Sequence, residues 1–193
     1  MRSALEVLLR LVVPAQHGFT PGRTFVNNVV AIDAAARVFH AEHESVQRAT
    51  VQASPAILLF DFSSAFPSLS QQWAFMSMAW QGVPAVIIDI IRAMYDSVFA
   101  AFVAESGTEH WLLLGSGVLQ GCPLSGTLYA IVANSFLRAL EHNIDESGLG
   151  LSRACADDVG IVLSGLRHLP AALPAFCLAE AAAALKLKPA KCN

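Results

Sequence analysis

The sequence predicts an α+β fold, and three observations support this prediction. The segment Ile57–Phe62, after Pro55, begins with a short, uninterrupted apolar run that Asp61 closes, which is typical of a strand buried on both faces. Val98–Val103 and Trp111–Leu114 flank a Glu-Ser-Gly-Thr turn and predict a β-hairpin. Longer segments with helical apolar spacing separate these strands, so we expect helices and strands to be mixed along the chain.

The composition is apolar and poor in charge. Of the 193 residues, 55% are hydrophobic and 14% are charged, whereas about a quarter of the residues in a free-standing soluble domain are charged. The chain is therefore either embedded in a membrane or the core of a larger protein. Because no stretch supplies the ~18 uncharged apolar residues of a spanning helix, we favour the core of a larger protein and expect no membrane partner.

Location and surface charge follow from the same composition. Glu6 and Arg10 interrupt the N-terminal apolar segment, so a signal peptide is not expected. The four cysteines form no C-x-x-C pair, which favours reduced thiols in an intracellular protein. The net charge of −3 argues against a strongly basic surface, although a local groove can still be basic.

The N-terminal quarter predicts two helices around a loop. Residues 1–13 have amphipathic spacing that ends at Pro14, and Gln16–Thr24 is a loop punctuated by glycine and proline. A helix then runs from Thr24 to about Gln47. Its predicted apolar side consists of Val26, Val29, Val30, Ala34 and Val38.

Asp61 is the first candidate for chemistry, because it closes the apolar run. An ionised carboxylate at the end of a buried strand costs free energy unless something pairs with it. The sequence leaves two hypotheses open, a cap of the turn at Ser63-Ser64 or a metal ligand. Taken alone, Phe66, just before Pro67, is predicted to pack in the core, as most phenylalanines do.

The middle of the chain predicts three helices and a second loop. The helices are expected at about 70–80, 84–95 and 126–141, and a further Ala-rich helix is expected at 169–185. The loop, Gly115–Ser125, lacks the G-x-G-x-x-G spacing of a dinucleotide-binding fold and the lysine of a P-loop. It therefore indicates neither of these two nucleotide-binding folds.

Asp157 and Asp158 are adjacent and lie between short apolar segments that favour strands. Neighbouring residues of a regular strand point to opposite faces, but at the tip of a tight hairpin two carboxylates can converge. Such a pair concentrates negative charge that a hard divalent cation relieves. A solvated turn is the alternative for this pair taken alone.

Together the three aspartates suggest phosphoryl transfer. Carboxylates that are distant in sequence can meet where two central strands lie side by side. Three carboxylates together can bind two Mg²⁺ ions, which activate an attacking oxygen and stabilise a leaving one.

Five segments in order resemble the reverse transcriptases of retrotransposons without long terminal repeats and of group II introns. The resemblance covers about residues 16–193. Gln16–Thr24 is similar to Q-x-G-F-x-x-G-R-S/T, and Phe60–Phe66 is similar to D-x-x-x-A-F (motif A). Gly117–Ser125 is similar to G-V-x-Q-G-x-x-L-S/P (motif B), and Cys155–Asp158 to Y/F-A-D-D (motif C). Leu185–Lys191 is similar to G-L-x-x-N-x-x-K (motif D).

The resemblance implies a role for individual residues. Asp61, Asp157 and the backbone carbonyl of Phe62 would ligate two Mg²⁺ ions, with Mn²⁺ as a substitute, and Asp158 would complete the cluster. Lys191 would protonate the leaving pyrophosphate. The implied nucleotide-binding residues are Phe66, which would exclude a 2′-hydroxyl, Gln120 and Gly121, which would shape the pocket, and Arg23, which would line the template or nucleotide path.

The resemblance also implies the architecture and the partners. It implies one reverse transcriptase domain over 1–193, a right-hand polymerase fragment with an antiparallel sheet backed by helices. About 1–54 and 67–97 would be partial fingers, and about 55–66 and 98–193 the palm. The expected partners are an RNA template, a DNA primer and deoxynucleoside triphosphates, with the thumb and endonuclease regions on a longer parent protein.

Three residues depart from the family pattern and keep alternatives open. Cys155 replaces the aromatic residue of motif C, Ser64 replaces a basic residue, and Lys188 replaces the asparagine of motif D. The leading hypothesis is an RNA-directed DNA polymerase domain. The alternatives are a retroelement remnant that binds nucleic acid without catalysis, an RNA-dependent RNA polymerase and an interaction module.

Overall fold

The computed structural model of the chain describes residues 10–44 and 50–192. The predicted helix over 1–13 lies mostly outside these ranges, as does the predicted end of the next helix at Gln47. The strands are β1 (Ala56–Phe60), β2 (Phe99–Val103), β3 (Glu109–Leu113), β4 (Gly150–Cys155) and β5 (Asp158–Leu163). The helices are α1 (Phe25–Glu44), α2 (Ala65–Ser68), α3 (Gln71–Trp80), α4 (Ala85–Tyr95), α5 (Ser125–Leu140) and α6 (Leu173–Ala183).

A three-stranded antiparallel sheet forms the centre of the fold. β5 is the middle strand and pairs with β1 on one side and β4 on the other. The turn between β4 and β5 consists of Ala156 and Asp157, because Cys155 pairs with Asp158. β2 and β3 form a separate hairpin. The predicted mixture of helices and antiparallel hairpins is confirmed.

The core lies between this sheet and helices α5 and α6. Most of α5 is buried, as its nearly continuous apolar sequence requires. Phe176 of α6 packs on Phe60, with ring centroids 4.5 Å apart, and on Phe62. Phe62 also meets Phe136 of α5 edge to face at 5.4 Å. These aromatic contacts fix the end of β1 against both helices.

Helix α1 covers the opposite face of the sheet, but not through the predicted apolar side. Val26, Val29, Val30 and Val38 are 52–61% exposed, so that prediction is wrong. The helix meets the sheet along a narrow row instead. The amide of its buried Asn28 donates to the Ala154 carbonyl, and a Cβ at Gly160 would lie 2.7 Å from Ile32 Cδ1.

Strand β1 is not buried on both faces as predicted. Ile57 and Leu59 are 49% and 50% exposed. β1 is an edge strand of the sheet, and its Leu58 and Phe60 alternate with these two residues and face the core.

The C-terminal helix is shorter than the predicted 169–185. Residues Leu166–Ala171 form a 3₁₀-helix that contains Pro170, and α6 begins only after it, with a proline in its first turn. The helix ends before Ala184, which has φ +58°. No helix of the described ranges is long and apolar enough to cross a membrane.

Candidate active site

The three predicted aspartates lie at one end of two neighbouring strands. Phe60, the last residue of β1, pairs with Val159, so Asp61 follows directly beside Asp158, the first residue of β5. Asp157 occupies the adjoining turn. The fold therefore brings together carboxylates that are almost a hundred residues apart in sequence.

The charges of these aspartates affect one another. The pKa of Asp158 is raised by partial burial and then by the negative charges of Asp157 and Asp61, while Lys191 acts in the opposite direction. The pKa of the Tyr129 hydroxyl is also raised, first by burial and then by the same three carboxylates. The cluster is thus a site of concentrated negative charge beside the core.

Lys191 is placed in the cluster by the C-terminal segment. This segment runs beside motif A, where the Ser63 N–H donates to the Lys186 carbonyl at 2.7 Å and the Lys188 N–H donates to the Asp61 carbonyl at 2.9 Å. The Lys191 ammonium then lies 2.9 Å from Asp61 Oδ2. This hydrogen bond and the charge of Asp61 raise the pKa of Lys191.

The donor set fits Mg²⁺ in its chemistry, since Mg²⁺ prefers carboxylate oxygens. Nevertheless, within residues 10–44 and 50–192 no three His, Cys, Asp or Glu side chains are arranged to hold one ion. The cation that meets Asp61 is the Lys191 ammonium. An Mg²⁺ ion at Asp61 therefore either displaces this ammonium from Oδ2 or binds through the other carboxylate oxygen.

Phe62 contributes its ring to the core and leaves its carbonyl outside the strand pairing. The residue is 2% exposed. It bridges to Leu187 in an antiparallel pair whose hydrogen bonds are made by the residues on either side, not by Phe62 itself. Its predicted role through the backbone carbonyl stays a prediction.

Phe66, on α2, belongs to an aromatic stack beside the carboxylates. Its ring stacks on Tyr129 with centroids 4.6 Å apart and meets Phe19 edge to face at 5.7 Å. A side chain at Gly126 would overlap the Phe19 ring, so the stack needs glycine there. Phe66 is only partly buried, which suits a residue at the wall of a cleft.

The loop of motif B holds α2 in place. Val118 N–H donates to the Phe66 carbonyl at 2.9 Å, and Gly117 N–H donates to the Leu69 carbonyl at 2.7 Å. Gly117 has φ +80°, a conformation that favours glycine. Gln120 and Gly121 lie exposed on the outer part of the loop, where they can meet a ligand.

Arg23 is engaged with its own loop. Its guanidinium donates to the carbonyls of Val13 (2.5 Å), Gln16 (2.8 Å) and Val12 (3.2 Å). These contacts stabilise the segment that precedes α1. The predicted role of Arg23 at a template or nucleotide stays a prediction.

A cavity of about 590 Å³ opens beside the cluster, between α1 and the sheet. Its polar lining comes from Asp61, Asp158, Lys191 and Arg153, and its apolar lining includes Phe25 and Leu59. It also reaches Cys155, the residue where the family pattern has an aromatic. The cavity gives Asp61 and Asp158 access to a ligand.

The sequence does not reveal two residues of the site, Tyr129 and Gln16. Tyr129 lies in an apolar helix where nothing distinguishes it from a core residue. Gln16 is part of the first motif, but its spacing gives no hint that its side chain reaches the turn of motif C.

Tyr129→Phe is expected to raise the free energy of unfolding by about 1 kcal/mol. The Tyr129 hydroxyl is buried and has no hydrogen-bond partner among the described residues. Removing it relieves an unsatisfied polar group while the stacking ring is kept. Urea denaturation of both proteins measures the difference, and a loss of stability would show that the hydroxyl has a partner.

Comparison with known proteins extends the resemblance to the whole chain. The family model described as reverse transcriptase (RNA-dependent DNA polymerase) matches residues 1–193. A transposon TX1 protein of Xenopus laevis is 28% identical over 172 residues, which is 85% of this chain and 12% of that protein. The polyprotein of the R2 retrotransposable element of Bradysia coprophila is 30% identical over 118 residues, 58% of this chain and 14% of that protein.

Solved structures with a similar fold include telomerases. That of Candida albicans, in complex with a fragment of telomeric RNA, covers 98% of this chain with a TM-score of 0.71 at 12% identity, and the chain spans 34% of it. The apo enzyme of Candida tropicalis, truncated from its C-terminal domain, gives a TM-score of 0.71 at 14% identity, again over 98% of this chain and 38% of that one.

These likenesses confirm the predicted α+β fold as a fragment of a right-hand polymerase. The chain spans only 12% and 14% of the lengths of these two retroelement proteins. With a family model that matches from the first residue to the last, the chain belongs to the reverse transcriptase (RNA-dependent DNA polymerase) family.

Proposed function

We propose that the chain is the RNA-directed DNA polymerase domain of a retroelement protein and that it adds deoxynucleotides to a primer 3′ end. The observation that supports this most is the gathering of Asp61 with Asp157 and Asp158 at one end of β1 and β5. Membership of the reverse transcriptase family supplies the reaction class.

In this proposal the carboxylates hold the catalytic metal. Asp61, Asp157 and the Phe62 carbonyl would hold two Mg²⁺ ions, or Mn²⁺ in their place, and Asp158 would complete the cluster. When bound, such a pair supplies activation of the attacking oxygen and stabilisation of the leaving one. Asp61 would take this role through Oδ1 while Oδ2 keeps its contact with Lys191, or through both oxygens once that contact is released.

Lys191 would then serve as the proton donor to pyrophosphate. Its amine is protonated at neutral pH, as lysine amines ordinarily are, and Asp61 raises its pKa further. The side chain is exposed and 2.9 Å from Asp61, so release from Asp61 frees a cation next to the site of reaction. Its proton would pass from Nζ to the leaving oxygen.

The expected partners are an RNA template, a DNA primer and deoxynucleoside triphosphates. The similar telomerase of Candida albicans was solved with telomeric RNA, which supports RNA as a ligand of this fold. The thumb and endonuclease regions are proposed to lie on a longer parent protein. Gln120 and Gly121 would shape the nucleotide pocket together with Phe66, and Arg23 would line the path of template or nucleotide.

Phe66→Val is expected to lower the preference for deoxynucleotides over ribonucleotides by about tenfold or more, because a smaller side chain leaves room for a 2′-hydroxyl. The measurement is the ratio of kcat/KM for the two nucleotide types in single-nucleotide extension. Phe99→Val is the matched control, since Phe99 lies exposed on the separate β2–β3 hairpin. An unchanged ratio in Phe66→Val would remove Phe66 from sugar selection.

The proposed function is tested by primer extension. A labelled DNA primer on an RNA template is incubated with deoxynucleotides and with Mg²⁺ or Mn²⁺. Metal-dependent extension supports the proposal. Its absence at every concentration of both metals contradicts it.

One alternative is supported by specific observations. The Lys191 ammonium pairs with Asp61, and Cys155 replaces the usual aromatic. These features suit a remnant that binds nucleic acid without catalysis. Binding of a primer–template duplex in a gel-shift assay, without extension, would favour it.

A further inference from the structure

The turn that carries the aspartate pair has an unfavourable backbone conformation. Ala156, immediately before Asp157, has φ +57°. Residues other than glycine and asparagine avoid this left-handed region because Cβ crowds the backbone. The first position of a two-residue hairpin turn of this kind usually holds glycine, so something else has to hold Ala156 in place.

The side chain of Gln16 stabilises this conformation of Ala156 through two hydrogen bonds. It is fully buried, at 0% exposure. Its Nε2 donates to the Ala156 carbonyl at 3.0 Å, and its Oε1 accepts from the Ala156 N–H at 2.8 Å. One side-chain amide therefore satisfies both backbone groups of the strained residue.

Gln16 is itself held rigidly. Its Oε1 also accepts from the Gly18 N–H at 2.7 Å, and its backbone carbonyl accepts from Arg23. On either side, Ala154 N–H donates to the Ala15 carbonyl and His17 N–H donates to the Ala154 carbonyl. The loop thus adds a short parallel bridge to β4.

The close approach of loop and turn depends on Gly18. A Cβ at this position would collide with the backbone nitrogen of Ala156. The glutamine and the glycine of the first motif therefore have separate parts in this contact. The side-chain amide of Gln16 hydrogen-bonds to the turn, and the missing side chain of Gly18 allows the loop and the turn to approach closely.

We propose that Gln16 is a positioning residue that locks Ala156 in the left-handed conformation and so orients Asp157 and Asp158 toward the metal. The inference rests on the proposed function, because it assigns the aspartates to metal binding. A glutamine that only fills a buried space would not need to bond both backbone groups of this one residue.

The first test measures metal binding and hydrogen exchange in Gln16→Met, which keeps the volume of the side chain and removes its amide. Binding of Mn²⁺ alone is followed by electron paramagnetic resonance of the free ion. The Mn²⁺ affinity is expected to fall about tenfold, since the free-energy cost of holding a non-glycine residue in the left-handed conformation corresponds to a change of about that size in a binding constant. Exchange of the Ala156 amide is expected to accelerate about tenfold for the same reason. Gln72→Met, at an exposed glutamine of α3, is the matched control and should behave as the wild type.

A second substitution separates positioning from general stability. Glycine adopts a positive φ without strain, so Ala156→Gly in the Gln16→Met background should restore Mn²⁺ affinity to within about threefold of the wild type. Failure of this rescue in a folded protein overturns the inference, as does an unchanged Mn²⁺ affinity in Gln16→Met.

The two proposals fail in distinguishable ways. If the wild type binds no Mn²⁺, the proposed function is contradicted, while exchange of the Ala156 amide still decides whether Gln16 holds the turn. If Gln16→Met does not fold, Gln16→Glu repeats both measurements, since it keeps the acceptor for Ala156 N–H and removes only the donor. Wild-type Mn²⁺ affinity in Gln16→Glu would then overturn the inference, because the bond from the side-chain amide to the Ala156 carbonyl is lost in this variant.

Discussion

Asp157→Asn is expected to reduce primer extension on an RNA template about a thousandfold, because it removes about 4 kcal/mol of transition-state stabilisation. The substitution keeps the size of the side chain and removes the negative charge that would hold the metal. Asp157 lies in the turn between β4 and β5, where an amide makes no new contact with the core. The fold should therefore be unaffected and the loss should fall on kcat.

The control for this experiment is Asp96→Asn. Asp96 is an exposed residue that follows α4, so its substitution should leave extension within about twofold of the wild type, as surface changes usually do. Rates are compared at saturating nucleotide in Mg²⁺ and again in Mn²⁺, with circular dichroism to verify the fold. Extension that survives Asp157→Asn at the wild-type rate would exclude Asp157 from the mechanism.

The parts of the site that the sequence predicts are those in which local pattern and chemistry agree. Asp157 and Asp158 lie between strand-forming segments, and the structure places them at a hairpin tip. Asp61 closes an apolar run, and the structure places it beyond the end of β1. In both cases the sequence places a charge at the point where a strand leaves the core.

The parts that the sequence does not predict depend on contacts between distant segments. The bond between Gln16 and Ala156 joins residues 140 positions apart, and the ion pair of Lys191 with Asp61 depends on the C-terminal segment lying beside motif A. No periodicity within either segment encodes these contacts. They follow only once the sheet has brought the ends of β1, β4 and β5 together.

Helix α1 shows how apolar spacing can mislead. Its valines recur at helical intervals, yet they are exposed, and a polar residue, Asn28, is buried instead. The periodic pattern correctly predicts that the segment is a helix. It does not predict which face of the helix meets the sheet. Asn28 is buried because its side-chain amide donates a hydrogen bond to the Ala154 carbonyl, and a pattern of apolar residues does not represent this backbone group.

Gly117→Ala is expected to lower the free energy of unfolding by about 3 kcal/mol, from about 1–2 kcal/mol of backbone strain and a similar cost of overpacking. Gly117 has φ +80°, and a Cβ there would lie 2.5 Å from the Pro67 carbonyl oxygen and 2.8 Å from its carbon. Both neighbours are backbone atoms, so no side chain can rotate away.

Gly82→Ala is the matched control, because Gly82 has nearly the same φ of +82° but no described atom lies within 4 Å of a Cβ at this position. It should lose about 1–2 kcal/mol through backbone strain alone. The difference between the two proteins in urea denaturation then isolates the contact of Gly117 with Pro67. Pro67 follows Phe66 on α2 and Val118 N–H donates to the Phe66 carbonyl, so relief of the clash shifts the motif B loop and the backbone of Phe66 relative to each other. Equal losses in both proteins would mean that the motif B loop does not support Phe66 through this contact.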